Sequence, residues 1–321
     1  MCIRDSNLTV DWYKRDNFDL IGRVMTQGIG GQIQKYGNVA TMKSRGIEFS
    51  LSTKNIKTKD FSWTTDFIYS HMKNEVTKFN TSTRAFNLVS GIGFSREGYP
   101  VNSLFSYDFR GLNEDGVPTF INEAGVLTST DINFQETERF DNLVYSGPSE
   151  PTDVGSFGNI FQYKGLRLNV FITYSFGNVV RLDPVFSSIY NDLDAMPREF
   201  RNRWMTPGDE RYTDVPAIVS SRQVRNDSKL SYAYNAYNYS TARIAKGDFI
   251  RMKEISLTYD FPKRWIKKLR FSNMSLKLQA TNLFLIYADK KLNGQDPEFF
   301  NTGGVAVPVP KQFTLTLKIG L

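Results

Sequence analysis

The sequence contains a single cysteine, Cys2, and a single histidine, His71. A zinc site built from these residue types needs three or four ligands, so the chain cannot assemble one. Catalysis of the Ser-His-Asp or Cys-His kind would depend on His71 alone. His71 shares a face with aromatic residues near the end of a predicted strand, and we interpret it as an interfacial residue. We therefore predict that the chain is not an enzyme and binds no metal or cofactor.

The sequence also lacks any stretch approaching the ~20 consecutive apolar residues that a membrane helix requires. Its mean hydropathy is −0.38. A membrane-spanning β-barrel has no such stretches either, because each of its strands is apolar on one face only. The absence therefore argues against a helical membrane protein and leaves a barrel open.

Eight segments show the alternation of apolar and polar residues that is typical of strands. In the last of them, Phe313, Leu315 and Leu317 alternate with Thr314 and Thr316. Lengths of about ten residues match a tilted membrane strand. The segments are 7–16, 44–53, 61–72, 155–163, 166–176, 248–261, 272–286 and 311–321.

The connections between these segments alternate between long and short. The long ones are 17–43, 73–154, 177–247 and 287–310, and the short ones are 54–60, 164–165 and 262–271. A transmembrane barrel has short periplasmic turns and longer extracellular loops, whereas a soluble sandwich has no reason to sort its loops in this way. We therefore predict an all-β, antiparallel transmembrane barrel whose last strand runs inward.

Aromatic residues cluster near the strand ends, where the two membrane–water boundaries favour them. They include Trp12 and Tyr13, Phe61 and Trp63, Tyr174 and Phe176, Tyr259 and Phe261, and Phe284 and Tyr287. Strict alternation in 248–261 would place Arg251 and Lys253 on the apolar face. Because charge is costly at mid-depth, we expect both at the outer rim, paired with anionic headgroups. We expect the lumen to be lined by Glu48, Asp66, Arg167, Lys277 and Lys318.

The net charge of +7 could suggest a nucleic-acid partner. The basic residues are spread along the chain, and we predict no nucleic-acid binding. One basic cluster surrounds Trp265, which we interpret as a periplasmic turn or short helix near the headgroups. It consists of Lys263, Arg264, Lys267, Lys268 and Arg270. Carboxylate pairs at Glu114/Asp115, Asp192/Asp194 and Asp209/Glu210 lie in hydrophilic loops, with nothing that aims them at a glycosidic bond.

Several segments resemble SusC/RagA-type TonB-dependent outer-membrane transporters. The longest, AKGDFIRMKEISLTYDFP at 245–262, is similar to a family stretch of the form GDYLRLKNITLGYTLP. The others are 37–51, 60–67, 97–100, 109–116, 282–284, 296–298 and 307–311. These segments follow the family's order over nearly the whole chain from Asn7 onward.

The resemblance implies a plugged barrel of about 22 strands, of which residues 7–321 supply the C-terminal portion without the plug and TonB box. Residues 1–6 do not look like a signal peptide, and we expect them to be a non-native start. The family imports oligosaccharides or peptides. Its partners are a SusD-like surface lipoprotein that acts as a lid, and TonB, which supplies the energy.

Loop 177–247 is the richest candidate for ligand or lid contact, since a rigid barrel holds such loops over its entrance. We expect contact through Arg203, Trp204, Tyr212, Tyr232, Tyr234, Tyr237 and Tyr239. Such rings also pack a loop onto itself or onto a lid, and we favour that alternative over direct substrate contact.

Two other functions remain open at this point. One is a non-energised porin or adhesin barrel, which would lack an upstream plug. The other is a soluble all-β carbohydrate-binding domain, which would leave the membrane without detergent.

Overall fold

The protein is described by a computed structural model that covers residues 6–25, 28, 31, 34–80, 83–90, 95–185, 196–268, 270–299, 308 and 310–320. Most of the predicted non-native start at 1–6 lies outside the described residues, as do Asp192 and Asp194. The strands are β1 (Ser6–Met25), β2 (Gln34–Lys57), β3 (Phe61–Phe79), β4 (Ser103–Tyr107), β5 (Phe109–Leu112), β6 (Pro118–Ile121), β7 (Leu127–Thr128), β8 (Leu143–Pro148), β9 (Asp153–Tyr163), β10 (Leu166–Phe176), β11 (Val179–Arg181), β12 (Ile244–Lys246), β13 (Phe249–Asp260), β14 (Asn273–Ala288) and β15 (Gln312–Gly320). The α-helices are α1 (Ala85–Val89), α2 (Ser221–Asn226), α3 (Leu230–Asn238) and α4 (Lys263–Lys268), and single 3₁₀ turns lie at Arg198–Asn202, Asp209–Arg211, Thr241–Arg243, Lys290–Leu292 and Pro297–Phe299.

The largest element is an antiparallel sheet of eight strands in the order β1-β2-β3-β9-β10-β13-β14-β15. These are the eight predicted strands. Each pairs with the strands that come before and after it among these eight. Within the described residues the sheet is open, with β1 and β15 as its edges. The structure therefore shows the predicted antiparallel strands, while the described residues do not show closure into a barrel.

The two faces of the sheet differ in chemistry, as the alternation predicts. On one face, which we call the apolar face, Leu168 pairs with Leu257, Leu257 with Leu278 and Leu278 with Leu315. This row of leucines is largely exposed, with Leu315 69% accessible. Such a contiguous exposed apolar surface marks contact with a membrane or a partner.

The opposite face, which we call the polar face, carries hydrophilic residues in register. In one row Arg167 pairs with Thr258, Thr258 with Lys277 and Lys277 with Thr316. The residues predicted to line the lumen all lie on this face, opposite Leu315 and Leu317. They are Glu48, Asp66, Arg167, Lys277 and Lys318.

A β-bulge at Lys253 overturns the prediction for Arg251. Phe171 pairs with Glu254, but the next residue, Ile172, pairs with Met252, so Lys253 is an extra residue in β13. An extra residue reverses the alternation beyond it. Arg251 therefore pairs with Thr173 on the polar face and is buried, instead of meeting headgroups at the rim.

The predicted long loop at 17–43 is also wrong. β1 and β2 continue through most of it as a two-stranded ribbon, with Asn17 opposite Met42 and Gly22 opposite Gly37. Residues 26–33 connect the two strands, and most of them lie outside the described residues. The other long connections are long in the structure as well.

The short connections serve as tight turns. Lys164 and Gly165 join β9 to β10, with Lys164 at a positive φ of 52°. A Cβ on Gly165 would lie 2.6 Å from the carbonyl oxygen of Asp260, so the turn requires glycine there. The predicted turn or short helix at 262–271 contains α4.

Most of the fully buried apolar core lies in the two longest connections, which pack together at one end of the sheet. We call residues 83–90, 95–152, 177–185 and 196–247 the loop layer. Phe105, Tyr107 and Phe120 from the first connection pack in one cluster with Phe200 and Tyr237 from the second. Hydrophobic burial in this cluster holds the two connections against each other.

None of the helices in the described part of the chain is both long and apolar enough to span a membrane.

Candidate functional site

An open cavity of about 770 Å³ lies on the polar face where the sheet meets the loop layer. The ends of β9, β10 and β13 supply its floor through Ser156, Thr173, Ser175 and Phe249. Because these strands pair directly, the side chains on their polar face point into one space. The cavity is large enough for a chain of several residues, since ligand pockets usually measure about 300–1,000 Å³.

The wall of the cavity combines charges of both signs with amide groups. Glu150 and Asn102 come from the first long connection, Asn178 from the second, Lys253 from the bulge and Glu298 from the connection before β15. Asn102 donates a hydrogen bond to Glu150 over 3.0 Å. The buried Oδ1 of Asn178 has no hydrogen-bond partner within the described residues. The cavity can therefore accept and donate hydrogen bonds, and its charged side chains can form ion pairs with a cation or an anion.

An ion-pair cluster beside the cavity attaches the last long connection to the sheet. Arg251, only 5% exposed, donates to Asp296 over 2.5 Å, and its guanidinium lies 3.2 Å from Glu298. Asp296 also accepts the backbone N–H of Glu298. Sequence reasoning missed this cluster, because the bulge that aims Arg251 inward has no clear signal in the sequence.

Two more arginines are buried inside the loop layer. Arg243 pairs with Glu199 over 2.6 Å and donates to the carbonyl oxygen of Asp183. Arg181 donates to the carbonyl oxygen of Phe105, and burial lowers the pKa of Arg181 to about 10. Both arginines join segments that are far apart in the chain, so the loop layer is tied together by charge as well as by apolar packing.

The predicted contact residues of loop 177–247 divide into two groups. Tyr234 and Tyr237 are 1% and 2% exposed and lie inside the loop layer, where burial raises the pKa of Tyr237 to about 12. They show the packing of the loop onto itself that the sequence leaves open. Tyr212 is 89% exposed and Tyr232 48% exposed, while Tyr239 is half-buried.

Arg203 and Tyr212 line a second, shallow cavity of about 480 Å³ on the loop layer. Arg203 lies over the ring of Phe200, 4.9 Å from its centre. Trp204 is half-buried and packs so closely on Gly116 that a Cβ there would lie 2.5 Å from its ring. The structure thus brings Arg203 and Tyr212 together at one surface. Contact of these residues with a ligand or lid stays a prediction.

The carboxylate pair Asp209/Glu210 shapes the turn next to Trp204. Asp209 accepts the backbone N–H groups of Met205 and Thr206, each over 3.0 Å, and these bonds lower the pKa of Asp209. Glu210 accepts the indole N–H of Trp204 over 3.1 Å. The pKa of Glu210 is also lowered. The largest cause is a hydrogen bond from a backbone N–H, and the next is the bond from Trp204. The pair therefore has a structural role in this turn.

His71 lies on the apolar face, as expected, close to the loop end of the sheet. Its Nδ1 is 2.8 Å from Asp153, which also accepts hydrogen bonds from Tyr69 and Thr152. Among the described residues, no group of three or more Cys, His, Asp and Glu could hold a metal ion.

No family model matches the chain. A TonB-dependent receptor of Formosa agariphila is 26% identical over 357 residues, which cover 95% of this chain and 32% of the receptor. The TonB-dependent receptor SusC of Bacteroides thetaiotaomicron is 25% identical over 329 residues, which cover 97% of this chain and 30% of SusC. The chain therefore spans about a third of the length of these curated relatives.

Solved structures show the same fold. The structure of the RagAB peptide transporter matches with a TM-score of 0.75 at 24% identity, over 98% of this chain and 33% of the transporter chain. The RagAB peptide importer in its open-open state matches with a TM-score of 0.75 at 23% identity, over 99% of this chain and 33% of that chain. The eight-stranded sheet and the loop layer thus correspond in fold to part of such a transporter. Sequence and fold together confirm the resemblance: the chain is similar to outer-membrane TonB-dependent receptors of SusC/RagA type over about 30% of their length.

Proposed function

We propose that residues 7–321 form the C-terminal portion of the barrel of a TonB-dependent importer of oligosaccharides or peptides. In this proposal the apolar face contacts lipid and the polar face lines the lumen. The remaining strands of an about 22-stranded barrel pair with the edges β1 and β15. The plug and the segment that contacts TonB belong to other residues of the receptor.

The observation that carries this proposal is the cavity on the polar face beneath the loop layer. A substrate that enters from outside would pass the loop layer and reach Lys253, Glu150 and Glu298 before it moved deeper along the polar face. Loops held by a rigid scaffold are the usual position for specificity. A soluble carbohydrate-binding domain is disfavoured, because it would have no reason to expose the leucine row of the apolar face.

The chemistry of the cavity favours oligopeptides over glycans. A peptide backbone offers alternating N–H and C=O groups, and its termini carry charges that Glu150, Glu298 and Lys253 can meet. Sugar sites usually depend on several aromatic faces, whereas the walls of this cavity are mostly polar and charged, with Tyr174 and Phe249 as their aromatic rings. The RagAB structures are of a peptide transporter, which agrees with this assignment.

We propose that a SusD-like lipoprotein covers the loop layer as a lid. The shallow cavity at Arg203 and Tyr212, with the exposed Met205 beside it, offers the residue types that are enriched in protein interfaces. This surface lies on the loop layer and not on the polar face, so a lid bound there would leave the larger cavity free for substrate.

A charge reversal in the cavity tests the proposed substrate class. The whole receptor would carry Lys253→Glu, and uptake of labelled acidic and basic oligopeptides would be measured in cells with and without TonB. We expect uptake of acidic peptides to fall roughly tenfold relative to basic ones, as for loss of a charged hydrogen bond. Lys246→Glu is the matched control, because Lys246 is exposed outside the cavity.

Two results would contradict the proposal. Equal effects of Lys253→Glu and Lys246→Glu on uptake would show that the substrate does not pass through the cavity. Uptake that persists without TonB would instead favour the non-energised porin.

A further inference from the structure

On the apolar face of β1, β2 and β3, residues that pair across the three strands form rows. These rows can be followed along the strands toward the end of the sheet that carries the loop layer. One row contains Val10, Phe49 and Tyr69, and the next contains Trp12, Ile47 and His71. Successive rows are two residues apart and therefore about 7 Å apart along the strands. We call these apolar rows the apolar band. It ends at the row of Trp12, and the side chain of Trp12 is 70% exposed.

The row immediately beyond the apolar band consists of three cations. Lys14 pairs directly with Arg45, and Arg45 pairs directly with Lys73. All three are exposed, and the three strands place them side by side about 5 Å apart. Like charges directly opposite one another destabilise a sheet, so an anion bound between them would stabilise this arrangement.

Neighbouring carboxylates are engaged elsewhere or lie in the next row. Asp153 accepts hydrogen bonds from Tyr69 and Thr152 and lies against His71. Asp16 and Glu75 belong to the following row, where they flank Lys43. In the described part of the chain, no ion pair joins Lys14, Arg45 or Lys73 to a carboxylate.

The cations also surround a concave space. A cleft of about 220 Å³ lies along β1, β2 and β3. It is lined by Lys14, Arg45 and Lys73 together with Lys43, Ser44, Asn74 and Glu75. We propose that this cleft binds the phosphate group of an outer-leaflet lipid, whose acyl chains lie on the apolar band below it. A lipid is favoured over free phosphate because the next row on the same face, two residues along each strand, is the exposed row of Trp12 and Ile47.

The same site replaces the headgroup contact expected at Arg251 and Lys253, which face the other side of the sheet. The inference rests on the membrane position of the receptor and not on transport. Its failure would therefore leave the importer proposal intact.

Lipid binding to the whole receptor tests the inference. The receptor would be placed in phosphatidylcholine nanodiscs, and binding of bisphosphorylated lipid A would be measured by native mass spectrometry. The variant K14Q/R45Q/K73Q removes the row. We expect about a fivefold loss of affinity for each removed charge and roughly a hundredfold loss for the triple variant.

Two further variants serve as controls. K263Q/R264Q/R270Q removes three exposed cations from the opposite end of the sheet and should retain binding. K14R/R45K/K73R keeps the charges and should also retain binding, which separates charge loss from misfolding. Dephosphorylated lipid A should bind the unmodified receptor as weakly as the triple variant binds the phosphorylated lipid.

Three outcomes would overturn the inference. Equal losses in the two glutamine triples would mean that only net charge matters. If dephosphorylated lipid A bound as tightly as the phosphorylated lipid, the phosphate group would not contribute to binding. Inorganic phosphate that binds as tightly as the lipid would identify free phosphate as the ligand.

Discussion

Replacement of Arg251 by methionine should release the connection 289–299 from the sheet. The guanidinium is buried and holds two carboxylates, of which Asp296 is nearly buried and Glu298 is 44% exposed. Loss of one partner from a buried ion pair costs about 3–5 kcal/mol. Because water reaches Glu298, we expect a value near the lower end, ~3 kcal/mol.

Hydrogen exchange of the whole receptor in detergent measures this change directly. The backbone N–H of Leu292 donates to Asp289 and that of Phe299 to Asp296, so both amides report opening of the connection. A loss of ~3 kcal/mol predicts roughly hundredfold faster exchange there. The control is Arg110→Met, since Arg110 pairs with Asp108 at the surface and should contribute no more than about 1 kcal/mol.

A second variant separates the lost charge from lost packing. In R251M/D296L the two buried members, Arg251 and Asp296, become apolar while the more exposed Glu298 stays in contact with water. Replacement of a buried pair by apolar residues is often neutral. This double variant should recover most of the protection. Exchange in R251M that stays within threefold of the unmodified receptor would refute the proposed role of the ion pair.

The remaining predictions concern the turn at Trp204 and the bulge. The pKa values of Asp209 and Glu210 are lowered in the folded chain. The stability that these carboxylates contribute is therefore present at neutral pH and is lost as pH falls from about 4 through the folded pKa values. The fluorescence of Trp204, with the other tryptophans replaced by phenylalanine, should change in that pH range. Gly116→Ala should displace Trp204 and cost about 1–3 kcal/mol, since Gly116 has a φ of 73° and no room for a Cβ; thermal unfolding of the loop layer measures it. Deletion of Lys253 should turn the residues before it to the apolar face and abolish outer-membrane assembly, measured by heat-modifiable mobility.

Each of these predictions has a contrary result. Trp204 fluorescence that is insensitive to pH below 4, or that changes equally in D209N/E210Q, would remove the carboxylates from the turn. Unchanged unfolding of Gly116→Ala would show that the turn yields without cost. Lys253→Ala keeps the extra residue and should assemble normally, so equal assembly of the deletion variant would refute the argument from register.

The sheet could be predicted from the sequence because its signal is local and repeated. Alternation over about ten residues defines a strand and its two faces, as the leucine row through Leu278 and Leu315 shows. Antiparallel order follows when successive strands pair with each other. The ribbon beyond Asn17 was missed because its residues do not alternate in hydrophobicity, and the backbone pairing of β1 with β2 extends it nonetheless.

The candidate site was harder to predict because it depends on register and long-range packing. One bulge residue, Lys253, decides whether Arg251 meets lipid or Asp296. The burial of Tyr234 and Tyr237 depends on contacts with a segment more than a hundred residues earlier in the chain, including Phe109. A single sequence indicates that a loop is aromatic but not which of its rings face outward.

The central claim is that one face of the sheet contacts lipid while the other lines an aqueous lumen. Spin labels at 313–318 on β15, introduced one at a time into the whole receptor in a lipid bilayer, test it most directly. The account predicts that labels at Phe313, Leu315 and Leu317 collide with lipid-soluble oxygen, whereas labels at Thr314, Thr316 and Lys318 collide with a water-soluble nickel chelate. The reverse pattern, or accessibility without alternation, would contradict it.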